Sequence, residues 1–445
     1  MPASPGLIIA APASGSGKTV VTLALLRALG NAGVGVASAK AGPDYIDPAF
    51  HRFASGRACI NLDPWAMRPA TLANLVGAQS HSADLVLAEG VMGLFDGINL
   101  PGRPDMGSTA DLAALTGWPV VLVVDAGRQA ASVGALVSGF AKHRDDVDIA
   151  GVIFNRVASE THRDVLSAAV ARATPDIAIL GAVPRDPALA LPERHLGLVP
   201  AGEHKALEPF LETAARIVTE SIDLTAFQKL ARPSRLVAPA SGPSSPLPPL
   251  GQTIAVAQDR AFGFAYPNVL QAWRDAGAQI MPFSPLGDQA PAADADAVYL
   301  PGGYPELHAG QLAAAATFLE GLRAAASRGA ALFGECGGYM VLGESLTDAE
   351  GTTHAMAGLL PVETSFAARR LHLGYRVATL TGAGPLGAPG NAFRGHEFHY
   401  ATVVREGPGD ALFEARNAAG ADLGRCGRTK GTVSGSFIHL IDRAA

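Results

Sequence analysis

Two short stretches carry residue types spaced for chemistry. The first is Ala11-Pro12-Ala13-Ser14-Gly15-Ser16-Gly17-Lys18-Thr19, lying between an apolar run and a helical pattern. Glycines there let backbone N–H groups converge on phosphate oxygens, and a helix N-terminus adds partial positive charge. Lys18 would reach the outer phosphates and the Thr19 hydroxyl would ligate Mg²⁺. Gly15, Ser16, Gly17, Lys18 and Thr19 therefore form a candidate nucleotide site. Ala11 or Pro12 stands where such loops usually begin with glycine, and an ordinary Gly-rich turn is the plainer alternative. The second stretch is Leu332-Phe333-Gly334-Glu335-Cys336-Gly337-Gly338-Tyr339-Met340. An apolar run entering a Gly-flanked cysteine and then a helix has the mechanics of a nucleophile elbow. The helix start lowers the thiol pKa. A lone cysteine is more often a small buried hydrophobe, but the flanking glycines favour Cys336 as a nucleophile.

A catalytic thiol needs a base and an oxyanion hole. His439, in Gly435-Ser436-Phe437-Ile438-His439-Leu440, is the expected base. His396 and His399 compete with it but fit better as residues that line the substrate site or pack structurally. The expected oxyanion donors are backbone amides of Gly302 and Gly303, in Pro301-Gly302-Gly303-Tyr304. The histidine spacing does not suit zinc. In the first half, Asp44 and Asp47 lie three apart in Gly-Pro-Asp-Tyr-Ile-Asp-Pro. They could bind metal, steer a substrate group, or simply form the turn beside proline. Glu89 ends an apolar run at the position where carboxylates hold Mg²⁺ opposite a phosphate loop. Asp125 is a weaker acid of the same kind or a helix cap. Asn155 is placed to read a base edge or to cap a turn.

The elements that must position these groups alternate. Leu7–Ala10, Val34–Ala37, Leu85–Ala88, Val120–Val124 and Ile149–Phe154 read as strands in the first half. Thr253–Ala257, Ala297–Leu300, Ala331–Phe333 and Val433–Ile438 read as strands in the second, with helical patterns such as Val20–Leu29, Ala130–His143 and Gln311–Ala325 between. Uniformly apolar strands separated by helices predict α/β architecture with two doubly wound, mostly parallel sheets. The Pro/Ser-rich stretch 231–250 disfavours helix and central strand and reads as a linker between domains 1–230 and 251–445.

The composition excludes several classes. Of 445 residues 48% are hydrophobic and 17% charged, too apolar and too weakly charged for a disordered chain. A net charge of -6 argues against a nucleic-acid partner. The apolar runs fall short of the roughly 20 residues that span a bilayer, so no membrane partner is expected. Leu7–Ala11 lacks the basic flank of a signal segment and reads as a strand instead. Three cysteines cannot form a disulfide framework, which points to a reducing, cytoplasmic setting.

Taken together, the motifs resemble a known family. The first half is similar to the dethiobiotin-synthetase-like branch of P-loop ATPases, and the second resembles a flavodoxin-like class I glutamine amidotransferase domain. Their order, with Gly-Pro-Asp-Tyr-Ile-Asp-Pro at 42–48, Asn-Leu-Asp-Pro-Trp at 61–65, Glu-Gly-Val-Met-Gly-Leu-Phe-Asp-Gly at 89–97 and Leu-Pro-Gly-Gly-Tyr-Pro-Glu-Leu at 300–307, resembles the cobyrinic acid and hydrogenobyrinic acid a,c-diamide synthases. The resemblance covers the chain outside 231–250. It implies a carbon–nitrogen ligase of cobalamin biosynthesis with ATP and Mg²⁺ as cofactors and L-glutamine and a corrinoid as partners. A homodimer is left open. Thr19, Asp47 and Glu89 are then metal-binding, Gly15–Thr19 and Asn155 bind ATP, and Asp44, Tyr45 and Asp96 face the corrinoid. The high-GC style of the composition favours the metal-free hydrogenobyrinic acid over cobyrinic acid. Related readings are cobyric acid synthase, nickel-sirohydrochlorin a,c-diamide synthase, or a P-loop switch ATPase with a degenerate amidotransferase module. His439-Leu440-Ile441 lacks the triad glutamate of most class I amidotransferases and the second histidine usual in this family, which leaves Cys336 and His439 as a dyad.

Overall fold

The computed structural model describes residues 4–191, 193–194, 197–198, 206–237 and 245–444. Proximity along the backbone divides the chain into two compact units, Met1–Trp65 with Pro69–Gly242 and Ala66–Arg68 with Pro243–Ala445. Residues 238–244 of the Pro/Ser-rich stretch lie outside the described residues. On either side of them the chain is held down. Gly6 and Arg232 form a β-bridge in the first unit, and Leu247 and Leu250 are buried in the second.

The first unit is built on a seven-stranded, all-parallel sheet in the order Ile60–Leu62, Val36–Ala41, Leu85–Glu89, Gly6–Ala10, Val120–Asp125, Ile149–Val157, Ala178–Pro184. Gly6–Ala10, Val36–Ala41 and Leu85–Glu89 are buried along their whole length, as strands covered on both faces must be. Strand order reverses around Gly6–Ala10, since the chain builds first to one side of it and then to the other. In such sheets ligands bind beyond the carboxyl ends of the strands at that reversal, and the Gly15–Thr19 loop sits there. The helix Lys18–Asn31 follows the loop directly and shares one apolar core with the helix Leu207–Ser221.

The second unit has a six-stranded sheet in the order Gln279–Phe283, Thr253–Ala257, Ala297–Leu300, Ala331–Glu335, Val433–Ser436, Arg428–Lys430. The first five strands are parallel and the last is antiparallel. The carboxyl ends of three adjacent strands lead into Pro301-Gly302-Gly303, Cys336 and Phe437-Ile438-His439. The topology thus brings three segments of the expected site to one rim. Sequence reading ran a strand through Val433–Ile438, but the strand stops at Ser436. The Ser436 hydroxyl accepts a hydrogen bond from Ile438 N (3.1 Å), which turns the chain before a new strand, His439–Arg443. That new strand is the edge of a five-stranded antiparallel sheet, ordered Asp422–Cys426, Phe413–Asn417, His372–Leu380, Ala392–His399, His439–Arg443. A four-stranded sheet of Thr353–Ala355, Ser345–Thr347, Val362–Ser365 and Thr402–Glu406 completes the unit. These two added sheets, the first antiparallel and the second mixed, were not read from sequence.

Candidate active sites

In the first unit, Gly15 and Gly17 adopt left-handed backbone (φ 79° and 85°), which the loop needs in order to turn its amides inward. A side chain at Gly17 would also collide with Asn155, whose Nδ2 lies 2.1 Å from the position a Cβ would take. Asn155 Nδ2 donates to Ser16 O (2.9 Å), and its Oδ1 accepts from Arg156 N. The residue therefore braces the loop while lining a cavity of about 800 Å³ with Pro12, Asp125, Arg128 and Arg185. Lys18 Nζ donates to Met92 O (3.0 Å). Burial and the charge of Lys40 lower the Lys18 pKa.

Glu89 is the hub of this site. It is fully buried, and Oε1 accepts from the Thr19 hydroxyl (2.6 Å) and from Lys40 Nζ (3.0 Å), while Oε2 faces His51 Nε2 (2.6 Å). Lys40 also pairs with Asp47 (2.5 Å). Burial pushes the Glu89 carboxyl up, but Lys40 and His51 together hold it well below the usual carboxylate range. His51 is raised to about 10 despite burial, through Cys59 and Glu89, so it carries a proton at neutral pH. Asp47 is raised to about 6 by burial and by Asp44. Three cations, Lys18, Lys40 and His51, thus interact with three acids, Glu89, Asp47 and Asp44, in one charge network beside the Gly15–Thr19 loop. Sequence reasoning missed Lys40 and His51. The Lys40-Ala41-Gly42-Pro43 junction offered a signal at a strand end, but of the two carboxylates Lys40 pairs with, Glu89 lies 49 positions away.

Asp44 acts locally, its Oδ1 accepting from Ile46 N (2.7 Å) and Asp47 N (3.0 Å). Asp96 likewise accepts from Gly93 N (2.8 Å). Tyr45 is half-buried between Asp44 and the helix that opens at Asp47.

In the second unit, Cys336 has φ 48° and ψ -103°, a strained conformation for any residue with a side chain. Its amide is tied to Ser436 O (2.8 Å), which pins the turn to the neighbouring strand end. A Cβ added to Gly302 would fall 2.3 Å from His439 Cε1 and 3.3 Å from Cys336 Cβ. Cys336, His439 and the Gly302-Gly303 turn thus converge on a space that only glycine leaves open. Against the lowering expected from a helix start, burial pushes the Cys336 thiol well up, and it brings His439 down to about 3, so both rest neutral.

Glu335 supplies what sequence reasoning lacked. Its Oε2 lies 4.0 Å from His439 Nδ1, with both side chains buried. The same oxygen accepts from Tyr299 OH (2.6 Å), and Oε1 accepts from Leu440 N (2.9 Å). Burial raises this carboxyl to about 7. This acid directly precedes Cys336 rather than following the histidine, and only the parallel pairing of strand tips brings it near His439. Of the competing histidines, His396 pairs with His439 across antiparallel strands. His399 stacks on Phe437 (3.9 Å) and pairs with Glu397, whose other oxygen is held by Arg376 (2.7 Å).

Both halves match known families. Residues 253–444 match the CobB/CobQ-like glutamine amidotransferase domain, and residues 7–199 match the CobQ/CobB/MinD/ParA nucleotide binding domain. The hydrogenobyrinate a,c-diamide synthase of Brucella anthropi is 57% identical over 439 residues, covering 98% of each chain. The proteins of that name from Sinorhizobium sp and Rhodobacter capsulatus are 54% and 52% identical, covering 98–99% of each chain. The chain belongs to the hydrogenobyrinate a,c-diamide synthase family. Its family architecture is a nucleotide-binding domain followed by a glutamine amidotransferase domain, as the motif order implied. Among the described residues, no helix is long and apolar enough to cross a membrane.

Proposed function

We propose that this chain uses ATP and glutamine to amidate the a- and c-acetate carboxylates of hydrogenobyrinic acid in cobalamin biosynthesis. The observation that carries the reading is the full-length similarity, at 52–57% identity, to proteins named for that reaction. The two constellations support it. A carboxylate is a poor electrophile at neutral pH, so one site must activate it and another must release ammonia.

In the second unit, Cys336 passes its proton to His439 and attacks the side-chain amide carbon of glutamine. Backbone N–H groups of Gly302 and Gly303 receive the oxyanion. His439 returns the proton to the departing ammonia, and water then hydrolyses the thioester to glutamate. Glu335 stabilises the imidazolium that exists between those two transfers. In the first unit, Gly15–Thr19 hold the phosphates of ATP and Lys18 reaches the outer ones. The hydroxyl of Thr19 and the carboxylate of Glu89 are hard oxygen donors 2.6 Å apart, a set that suits Mg²⁺. When bound there, the ion neutralises phosphate charge. Asp47 is a further candidate ligand, held in place by Lys40. The substrate carboxylate attacks the γ-phosphate to give an acyl phosphate, and ammonia displaces phosphate to give the amide. Asp44, Tyr45 and Asp96 are assigned to the corrinoid side and Asn155 to the nucleotide side. The three free thiols fit a cytoplasmic setting.

The test is to supply purified protein with ATP, Mg²⁺ and glutamine, offer hydrogenobyrinic acid or cobyrinic acid in turn, and count amides by mass. Two amides on hydrogenobyrinic acid are expected. Amidation of cobyrinic acid alone, or of other side chains, would overturn the assignment.

A further inference from the structure

The second unit holds a carboxyl group that the chemistry above does not use. Glu306 follows the oxyanion turn, within the short helical turn Pro305–His308. Its Oε2 is buried and has no hydrogen-bond partner among the described residues. A carboxyl oxygen withdrawn from water without a donor is unfavourable. Burial accordingly pushes Glu306 up to about 7, a shift that a hydrogen bond to its own backbone amide and the charge of Arg369 only partly offset.

The turn that carries Glu306 lies against the nucleophile. A Cβ on Gly337, the residue after Cys336, would meet Pro305 Cδ at 2.9 Å and Gly303 N at 3.1 Å. The thiol also feels this acid, since negative charge on Glu306 adds to the burial that holds Cys336 protonated. An ionised Glu306 therefore works against the thiolate unless a cation neutralises it. Glutamine brings one. With its side-chain amide at Cys336, its α-ammonium group is four bonds away and is the one cationic group of the substrate.

We propose that Glu306 recognises the α-ammonium group of glutamine. Substrate binding then supplies the donor that the buried Oε2 lacks, and removes the charge that opposes the thiolate. The inference rests on the glutaminase reading of Cys336 and His439. It makes Glu306 a specificity residue, distinguishing an amino acid amide from a simple carboxamide of the same length.

The experiment compares kcat/KM for glutamine and for 5-amino-5-oxopentanoate, which is glutamine without its α-amino group, in the full-length wild type and Glu306→Gln. Wild type is expected to favour glutamine strongly, because a site built around a charged group rejects an analogue lacking it. In Glu306→Gln the KM for glutamine should rise about 10- to 100-fold with kcat nearly kept, while kcat/KM for the analogue, relieved of the uncompensated charge, holds or rises, so that the preference contracts by at least the same factor. Equal losses on both substrates, or an unchanged preference, would overturn the assignment. Should Glu306→Gln prove insoluble, Glu306→Asp tests the same point: its shorter arm should raise the KM for glutamine and leave the analogue unaffected. A wild type that shows no preference overturns the proposal without any variant. A wild type that hydrolyses no glutamine at all refutes the glutaminase reading as well, whereas hydrolysis with an unaltered preference refutes Glu306 alone.

Discussion

Replacing Glu335 by glutamine removes the carboxylate that lies 4.0 Å from the candidate base. The substitution keeps shape and most hydrogen bonds. The amide oxygen can still accept from Leu440 N, and the Tyr299 hydroxyl can turn to accept from the new NH₂ group. What disappears is a negative charge 4.0 Å from His439 Nδ1. At an effective dielectric constant near 20 that separation is worth about 4 kcal/mol to an imidazolium. The full amount is an upper limit, because Tyr299 and Leu440 already draw on the carboxylate and burial leaves it only partly ionised near pH 7. A loss of about 1.4 to 4 kcal/mol corresponds to roughly 10- to 1000-fold in kcat for glutamine hydrolysis, with KM little changed. The pH dependence adds a second signature. Deprotonation of Glu335 near pH 7 creates the charge that favours imidazolium, so wild-type kcat should rise as pH passes through that value. His396 and His399 oppose the imidazolium and Glu397 favours it, but these groups are unchanged in the variant. Glutamate release measured across neutral pH should therefore show a rising limb in wild type and none in Glu335→Gln. A variant with wild-type kcat and the same limb would refute a role for Glu335 in holding His439.

The other predictions separate the two sites. Cys336→Ala should abolish glutamine-dependent amide formation yet retain synthesis driven by ammonium salts; loss of both in a folded protein would contradict a two-site enzyme. Glu89→Gln should abolish amidation with either nitrogen source while glutamine hydrolysis persists, because the carboxylate that holds Thr19, Lys40 and His51 belongs to the phosphate site. Gly302→Ala should lower glutaminase kcat by about 100-fold, since His439 must move away from a methyl group 2.3 Å from Cε1 and small displacements of reacting groups are costly. Circular dichroism and activity together would check this, and an alanine variant with full activity would mean that His439 is not the base.

Much of the fold is legible because buried parallel strands announce themselves as short, uniformly apolar runs. Leu85–Glu89 and Val120–Asp125 lie where their sequence patterns end. The antiparallel strands of the second unit escape for the opposite reason. Asp422–Cys426 and Thr402–Glu406 are largely exposed and mix a few apolar residues with polar and charged ones, so they show neither a sustained apolar run nor clear alternation. The site divides in the same way. Lys18, Thr19, Glu89 and Cys336 are readable because glycines or a strand end mark them locally. Lys40 and His51 meet Glu89 from 49 and 38 positions away and Glu335 meets Leu440 from 105, and no local pattern records such a pairing. Asp44 and Asp96 each accept from an amide of their own turn, a local contact that their sequence setting beside glycine and proline already suggests.

The backbone at Cys336 has a consequence for how this protein responds to selection in the laboratory. Among the twenty residues, glycine is the one that occupies φ 48° and ψ -103° with little strain, so removing the thiol and its Cβ relaxes the turn. Heat resistance and turnover therefore pull in opposite directions at one codon. A library sorted for folding alone would drift toward silence at this position, whereas a sort that also demands nitrogen from glutamine would keep the strained residue in place.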